Sequence, residues 1–250
     1  MDKVIIVVGG STGIGASTAR QVAEEGAKVV VVARTTADGE ALVQSIVDTG
    51  GEAVFVQGDV SKEEDIVRYI DVTLATYGKI DGVFHSAAYT GKPQVLEDYS
   101  LEEFDRVMKT NLYSQFLGTK HVIPHLIKTK GAILNCGSIH GTFGMKNMLA
   151  YSASKYAIIG LTKSTALEVG EYGVRVNVLL PGSTHTPMMD NFEISMGDQE
   201  AVRAAIANDN AIKRYAESPE VAKMASFLLS EDASACTGAE YKVDMGYTAG

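Results

Sequence analysis

Short apolar runs alternate along the chain with longer segments of mixed apolar and polar positions, the rhythm of strand and helix in turn. The runs Val4 to Val8, Lys28 to Ala33, Ala53 to Gln57, Ile80 to Phe84, Ala132 to Cys136, Val174 to Leu180 and Tyr241 to Val243 predict seven strands. Several, notably Val29 to Val32, are apolar without alternation, so both faces of the sheet are covered, as when a parallel sheet lies between helix layers. The expectation is a doubly wound α/β fold in one domain, with neither a linker of low complexity nor a repeat of fixed period.

Two intervals, Leu101 to Lys128 and Tyr151 to Tyr172, read as long helices. Ser100 followed by Glu103 predicts a capping box at the first. The stretch 186–210 differs: Met188, Met189, Phe192 and Met196 alternate with Asp190, Glu193 and Asp198 behind Pro187, and the reading is a mobile lid over a substrate.

Composition narrows the partners. The chain has 250 residues, 46% hydrophobic and 21% charged, enough to bury a large core. A net charge of -9 offers no broad basic face, so neither nucleic acid nor an anionic membrane is expected as a partner, and small molecules are. With two cysteines, Cys136 and Cys236, no secretory signal before the first strand and no apolar run of bilayer length, the expected location is cytoplasmic.

The first strand runs into Gly9-Gly10-Ser11-Thr12-Gly13-Ile14-Gly15, after which a helical pattern begins. Glycines at 9, 13 and 15 allow a tight turn and close backbone approach, and the helix N-terminus attracts a pyrophosphate. A strand before the turn, a helix after it and a second strand ending about 20 residues later give the context of a dinucleotide site. That second strand ends in Ala33-Arg34 instead of the carboxylate that would bind a ribose 2'-hydroxyl, and a guanidinium pairs well with a 2'-phosphate. NADP(H) is therefore the expected cofactor and NAD(H) the alternative. Asp59, after the third strand, is expected beside the adenine, with Val60 next to it.

In Tyr151-Ser152-Ala153-Ser154-Lys155, spacing i to i+4 puts Tyr151 and Lys155 on one helix face. An ammonium about 4 Å from a phenolate, at an effective dielectric of about 20, favours the anion by about 4 kcal/mol. From Val4 to Gly246 the chain resembles the short-chain dehydrogenase/reductase family, a Rossmann-like fold, on this pair together with Asn111, Ser138, Pro181-Gly182 and Thr186 in the expected order. The resemblance implies a nicotinamide cofactor held by Gly9, Ser11, Thr12, Gly13, Ile14, Gly15, Arg34, Asp59, Val60, Ala87, Tyr151, Lys155, Pro181, Gly182, Thr184 and Thr186. It implies that Tyr151 is the acid and base, that Ser138 donates a hydrogen bond to the substrate oxygen, and that Asn111 supports a proton relay through Lys155. The substrate would be a small alcohol or carbonyl compound; Met188 and Phe192 in the stretch 186–210 are read as facing it, and His140, two residues beyond Ser138, either faces it or is a spectator. The family usually pairs its two long helices between subunits, which implies a homotetramer, with a dimer second.

The chain departs from the family at Val8, where a threonine is usual, at His85-Ser86-Ala87-Ala88, where Asn-Asn-Ala-Gly is usual, and at Met245, where glycine is usual. His85 is read as a structural substitution and Cys136 as a small core residue. His121 and His125, with Pro124 between them, have no companion ligands, so no metal is expected. Two rival readings stay open: an epimerase or dehydratase that recycles its cofactor, and a nucleotide-sensing module that has lost its chemistry.

Overall fold

The protein is described by a computed structural model over residues 3–249. In chain order the strands are β1 (Val4–Val8), β2 (Lys28–Ala33), β3 (Glu52–Gln57), β4 (Gly82–His85), β5 (Ala132–Cys136), β6 (Arg175–Pro181), β7 (Thr184–His185), β8 (Ala216–Glu217) and β9 (Glu240–Val243). Seven form one sheet in the order β3-β2-β1-β4-β5-β6-β9, parallel throughout, while β7 and β8 pair separately. The order reverses between β1 and β4, and a crevice opens at such a switch point beyond the carboxyl ends of the strands.

The helices are α1 (Gly13–Glu24), α2 (Thr36–Asp48), α3 (Glu63–Tyr77), α4 (Leu101–Met108), α5 (Ser114–Thr129), α6 (Leu149–Val169), α7 (Pro187–Ser195), α8 (Gln199–Asp209) and α9 (Ser218–Leu229). Alternation along the strands sorts the core into two layers. Ile5, Val7, Val29 and Val31 pack with α1, α2 and α9; Ile6, Val8, Val30 and Val32 pack with α3, α5 and α6. This double coverage is why β1 and β2 read as unbroken apolar runs.

The structure differs from the expected elements in three instructive places. The fourth strand lies at Gly82–His85 instead of Ile80 to Phe84, because the ladder continues at its far end, with His85 opposite Val8 and Asn135. The expected helix over 101–128 is broken by a π-helical turn at Lys109–Tyr113. The capping box at its start is half made: Ser100 Oγ accepts from the Glu103 N–H at 3.2 Å, but the Glu103 carboxylate accepts instead from the Tyr89 hydroxyl at 2.8 Å and the Lys92 N–H at 3.0 Å. Glu103 thus ties the loop after β4 to α4.

Candidate active site

A cleft of about 1050 Å³ opens over the carboxyl ends of β1, β4 and β5. At one end is the glycine turn. Gly9 has φ +76°, and a Cβ there would lie 2.5 Å from the Ala87 nitrogen, so the turn sits directly against the segment after β4. No side chain caps α1 at Thr12, as none caps α2, α3 or α6, but it is α1 whose N-terminal end, Thr12, Gly13 and Ile14, borders the cleft behind the glycine turn. The first-turn N–H groups of α1 are therefore left to face the cleft, the arrangement that takes a phosphate. Gly15 does not line the cleft. It is buried beneath the turn, where a side chain would collide with the Gly9 carbonyl, so it permits the cradle to form without touching what the cradle holds.

Arg34 is exposed on the rim beyond β2, and Asp59 and Val60 follow β3 beside it. Burial pushes the Asp59 carboxyl up, but the Ser61 N–H and hydroxyl, with Arg34 and Lys62 nearby, hold it below its ordinary value. Sequence reading found no carboxylate to oppose a 2'-phosphate here. The structure adds one: Asp38, in the first turn of α2, lines the same end of the cleft. It stands four residues after Arg34 in the chain, on the helix that follows β2.

Ser138, Tyr151 and Lys155 come together on the cleft from β5 and the start of α6. Ser138 Oγ accepts from the His140 N–H at 3.2 Å, which commits a lone pair and leaves the hydroxyl hydrogen to donate. Lys155, only 1% exposed, donates from Nζ to the Cys136 carbonyl at 2.9 Å, and Nζ lies 5.4 Å from the centre of the Tyr151 ring. One of its three N–H groups is thereby fixed and two remain for the site.

Asn111 is not on the cleft. It is fully buried in the π turn, where Oδ1 accepts from the Tyr89 N–H at 2.7 Å and Nδ2 donates to the Tyr89 carbonyl and to Ser154 Oγ, both at 3.0 Å. Ser154 Oγ in turn donates to the Tyr151 carbonyl at 2.7 Å. The Asn111 side chain thus reaches Tyr151 through Ser154, one step removed from the cleft.

Ser11, Thr12, Gly13, Ile14, Ala87, Pro181, Gly182, Thr184 and Thr186 also border the cleft. Thr186 Oγ1 accepts from the Met189 N–H at 3.2 Å and caps α7, and its methyl lies where a Cβ on Gly13 would stand 3.1 Å away. His140, Met188 and Phe192 line the other end. Sequence reading missed Phe143, Met145, Met148 and Tyr247 there, because they come from a loop and from the chain's last turn, with no periodic pattern to mark them.

Among the described residues, no group of three or more His, Cys, Asp or Glu side chains is gathered as for a metal, and His121 bonds instead to Glu63 at 2.6 Å. No helix is long and apolar enough to cross a membrane among those residues.

A parallel sheet with a glycine turn at its switch point defines a dinucleotide-binding α/β protein. The chain belongs to the short-chain dehydrogenase/reductase family, which works with a nicotinamide cofactor. The family model that matches, described as enoyl-(acyl carrier protein) reductase, spans residues 8–248. Levodione reductase of Leifsonia aquatica is 35% identical over 253 residues, covering 99% of this chain and 95% of that one. Cyclohexanol dehydrogenase of an Acinetobacter species is 34% identical, covering 99% and 95%. The crystal structure of levodione reductase superposes with a TM-score of 0.94 at 35% identity, covering 100% of this chain and 98% of that one.

Proposed function

We propose that this protein is an NADP(H)-dependent oxidoreductase that interconverts a secondary alcohol and a ketone, with Tyr151 as the proton donor and acceptor. The observation that carries the reading is that the Ser138 hydroxyl, the Tyr151 phenol and the Lys155 ammonium share one cleft with the open N-terminus of α1. Relatives named as a reductase of levodione and a dehydrogenase of cyclohexanol support alcohol and carbonyl chemistry.

When bound, the nicotinamide ring gives or takes the hydride. The protein handles the proton. In the direction of reduction, negative charge grows on the substrate oxygen; Ser138 donates a hydrogen bond to it and Tyr151 passes its proton to it. Lys155, held by the Cys136 carbonyl, stabilises the phenolate left behind. Asn111 keeps the loop at Tyr89 and the first turn of α6 in place through Ser154.

Arg34 is the proposed partner of a 2'-phosphate, with Asp38 opposing it weakly from α2. Helices α7 and α8 are the proposed lid, joined by Arg203, which bonds Asp190 and the fully buried Glu193, each at 2.6 Å. The outer faces of α5 and α6 expose Phe116, Tyr156 and Leu167, which supports assembly of copies through these helices into a homotetramer, with a dimer as the smaller alternative. The proposed location is the cytoplasm.

Calorimetric titration with NADPH and NADH, followed by absorbance at the nicotinamide band with secondary alcohols and ketones, tests the reading. Tighter binding of NADPH and stoichiometric change in the band are expected. Preference for NADH would remove Arg34 from its role, and turnover without net change in the band would point to an epimerase.

A further inference from the structure

Beyond Ser138 three aromatic rings border the cleft, His140 and Phe143 from the segment after β5 and Tyr247 from the turn after β9. His140 and Phe143 meet edge to face, with ring centres 4.8 Å apart and planes at 64°. Phe143 stacks on Tyr247, with centres 5.6 Å apart and planes at 18°. All three border the same cleft as Ser138 and Tyr151.

Tyr247 reaches the cleft because the chain is folded back after β9. Met245 and Gly246 have φ +55° and +76°, the left-handed region, which a methionine enters at a cost of about 1 kcal/mol. The Asp244 carboxylate holds the turn by accepting from Gly246 N–H at 3.0 Å, Thr248 N–H at 3.1 Å and Thr248 Oγ1 at 2.6 Å. The Met245 carbonyl accepts from the Ile212 N–H at 3.0 Å, tying the turn to the segment that leaves α8. A strained, multiply bonded turn therefore delivers one phenol ring to the wall.

The three rings bring no cation to this wall, although Lys146, Arg106 and Lys109 also border the cleft. Burial pushes the His140 imidazole down to about 4, so it stands as a neutral ring at pH 7 and offers no cation to a carboxylate or phosphate. Met188, Met189 and Phe192 of α7 add adaptable apolar surface to the same cleft.

We propose that His140, Phe143 and Tyr247 form a ring-recognition wall, that the substrate is an uncharged cyclic ketone or the matching cyclic alcohol lying against it, and that Tyr247 sets this specificity. The inference rests on the oxidoreductase reading for its chemistry but on the wall alone for its selectivity. A planar ring lies flat against an aromatic side chain where a flexible chain of the same carbon count does not, and the contact of two aromatic rings, about twofold to tenfold, is the upper bound on that preference.

The test compares a conjugated six-membered cyclic ketone, an acyclic ketone of equal carbon number and an acyclic 2-oxo acid. Binding to the protein saturated with NADPH is read by ligand-observed magnetic resonance, and kcat/KM by cofactor absorbance. The cyclic ketone is expected to bind and react best and the oxo acid worst. Tyr247→Leu should lower the cyclic-to-acyclic ratio by about twofold to tenfold, and Tyr247→Phe should retain it. Phe143→Leu probes the same wall from the neighbouring ring should the Tyr247→Leu variant fail to fold. Equal ratios in folded wild-type, Tyr247→Leu and Phe143→Leu proteins would overturn the wall. Ring-selective binding without turnover of any of the ketones would overturn the oxidoreductase reading and leave the wall standing.

Discussion

Gly118 on α5 and His85 at the end of β4 are fitted to each other: any side chain on Gly118 would run into Cε1 of the His85 ring. His85 occupies the place where the family usually carries asparagine, and it is buried, with Nε2 unpartnered. The larger ring is housed because its helix neighbour has no Cβ. Gly118→Ala is expected to destabilise the protein by about 1–3 kcal/mol through overpacking, and His85→Asn to relieve most of that cost. Chemical unfolding of both single variants and the double variant measures the coupling; simple additivity would dissolve the pairing.

The same histidine makes stability fall in acid. Burial pushes its imidazole down to about 4, while the unfolded chain titrates near the ordinary 6.5. Between those values the unfolded state binds more protons than the folded one, so stability is full above about pH 6.5 and declines as pH falls towards 4. The loss reaches about 3 kcal/mol at the acid end. Urea midpoints between pH 7.5 and 4.5 should drop less steeply for His85→Asn than for the wild type.

Tyr151→Phe should lower kcat by at least about a hundredfold, because the ring remains and only the transferable proton is lost. Cofactor affinity, measured by calorimetry, is expected to stay within a few-fold of wild type. Normal kcat in this variant would end the assignment of Tyr151 as acid and base.

At the other end of the cleft, Arg34→Asp should reverse the preference for NADPH, costing that cofactor roughly tenfold to a hundredfold in affinity. Asp38→Asn should tighten NADPH binding severalfold and leave NADH nearly as it was, since only the 2'-phosphate carries the charge that Asp38 opposes. Titrations of both variants with both cofactors decide this.

Arg203→Met removes the cation that bonds the buried Glu193 carboxylate and Asp190. Gln199 still reaches Glu193 at 3.2 Å, so the helices should loosen without the whole fold failing. The expected outcome is a several-fold rise in KM and faster proteolysis within 187–209; unchanged KM and cleavage would show that the clasp does not govern access.

The strands were legible because the sheet is covered on both sides, so residues such as Val29 to Val32 carry no alternation to confuse with a helix face. The Tyr151 and Lys155 pair was singled out less by its spacing, which is common on helix surfaces, than by its order along the chain with Asn111, Ser138, Pro181-Gly182 and Thr186. What could not be read was competition between partners far apart in the chain. Glu103 has the spacing to close a capping box with Ser100, yet the Tyr89 hydroxyl and the Lys92 N–H claim its carboxylate. Asp38 and Tyr247 reach the cleft through the placement of α2 and of the final turn, which no local pattern announces. Asn111 was found by its motif, but its bonds to Tyr89 and Ser154 depend on the π turn that holds it.

That π turn also sets the angular phase of everything after it. Val107, Asn111 and Gln115 are all buried and are spaced by four residues. In an uninterrupted α-helix each residue advances about 100°, so two such steps drift about 80° off a common face. The wider turn at Lys109–Tyr113 absorbs the drift and hands α5 on with Gly118 aimed at His85. A deletion of one residue within 109–113 that restored a regular helix would leave seven steps of about 100° between Val107 and Gln115, about 700° in all, so α5 would keep nearly its present phase relative to α4. What the deletion would take away is the widened backbone that sets Asn111 against Tyr89 and Ser154, so its cost should fall on the loop after β4 and on the start of α6 and spare the fit of Gly118 to His85.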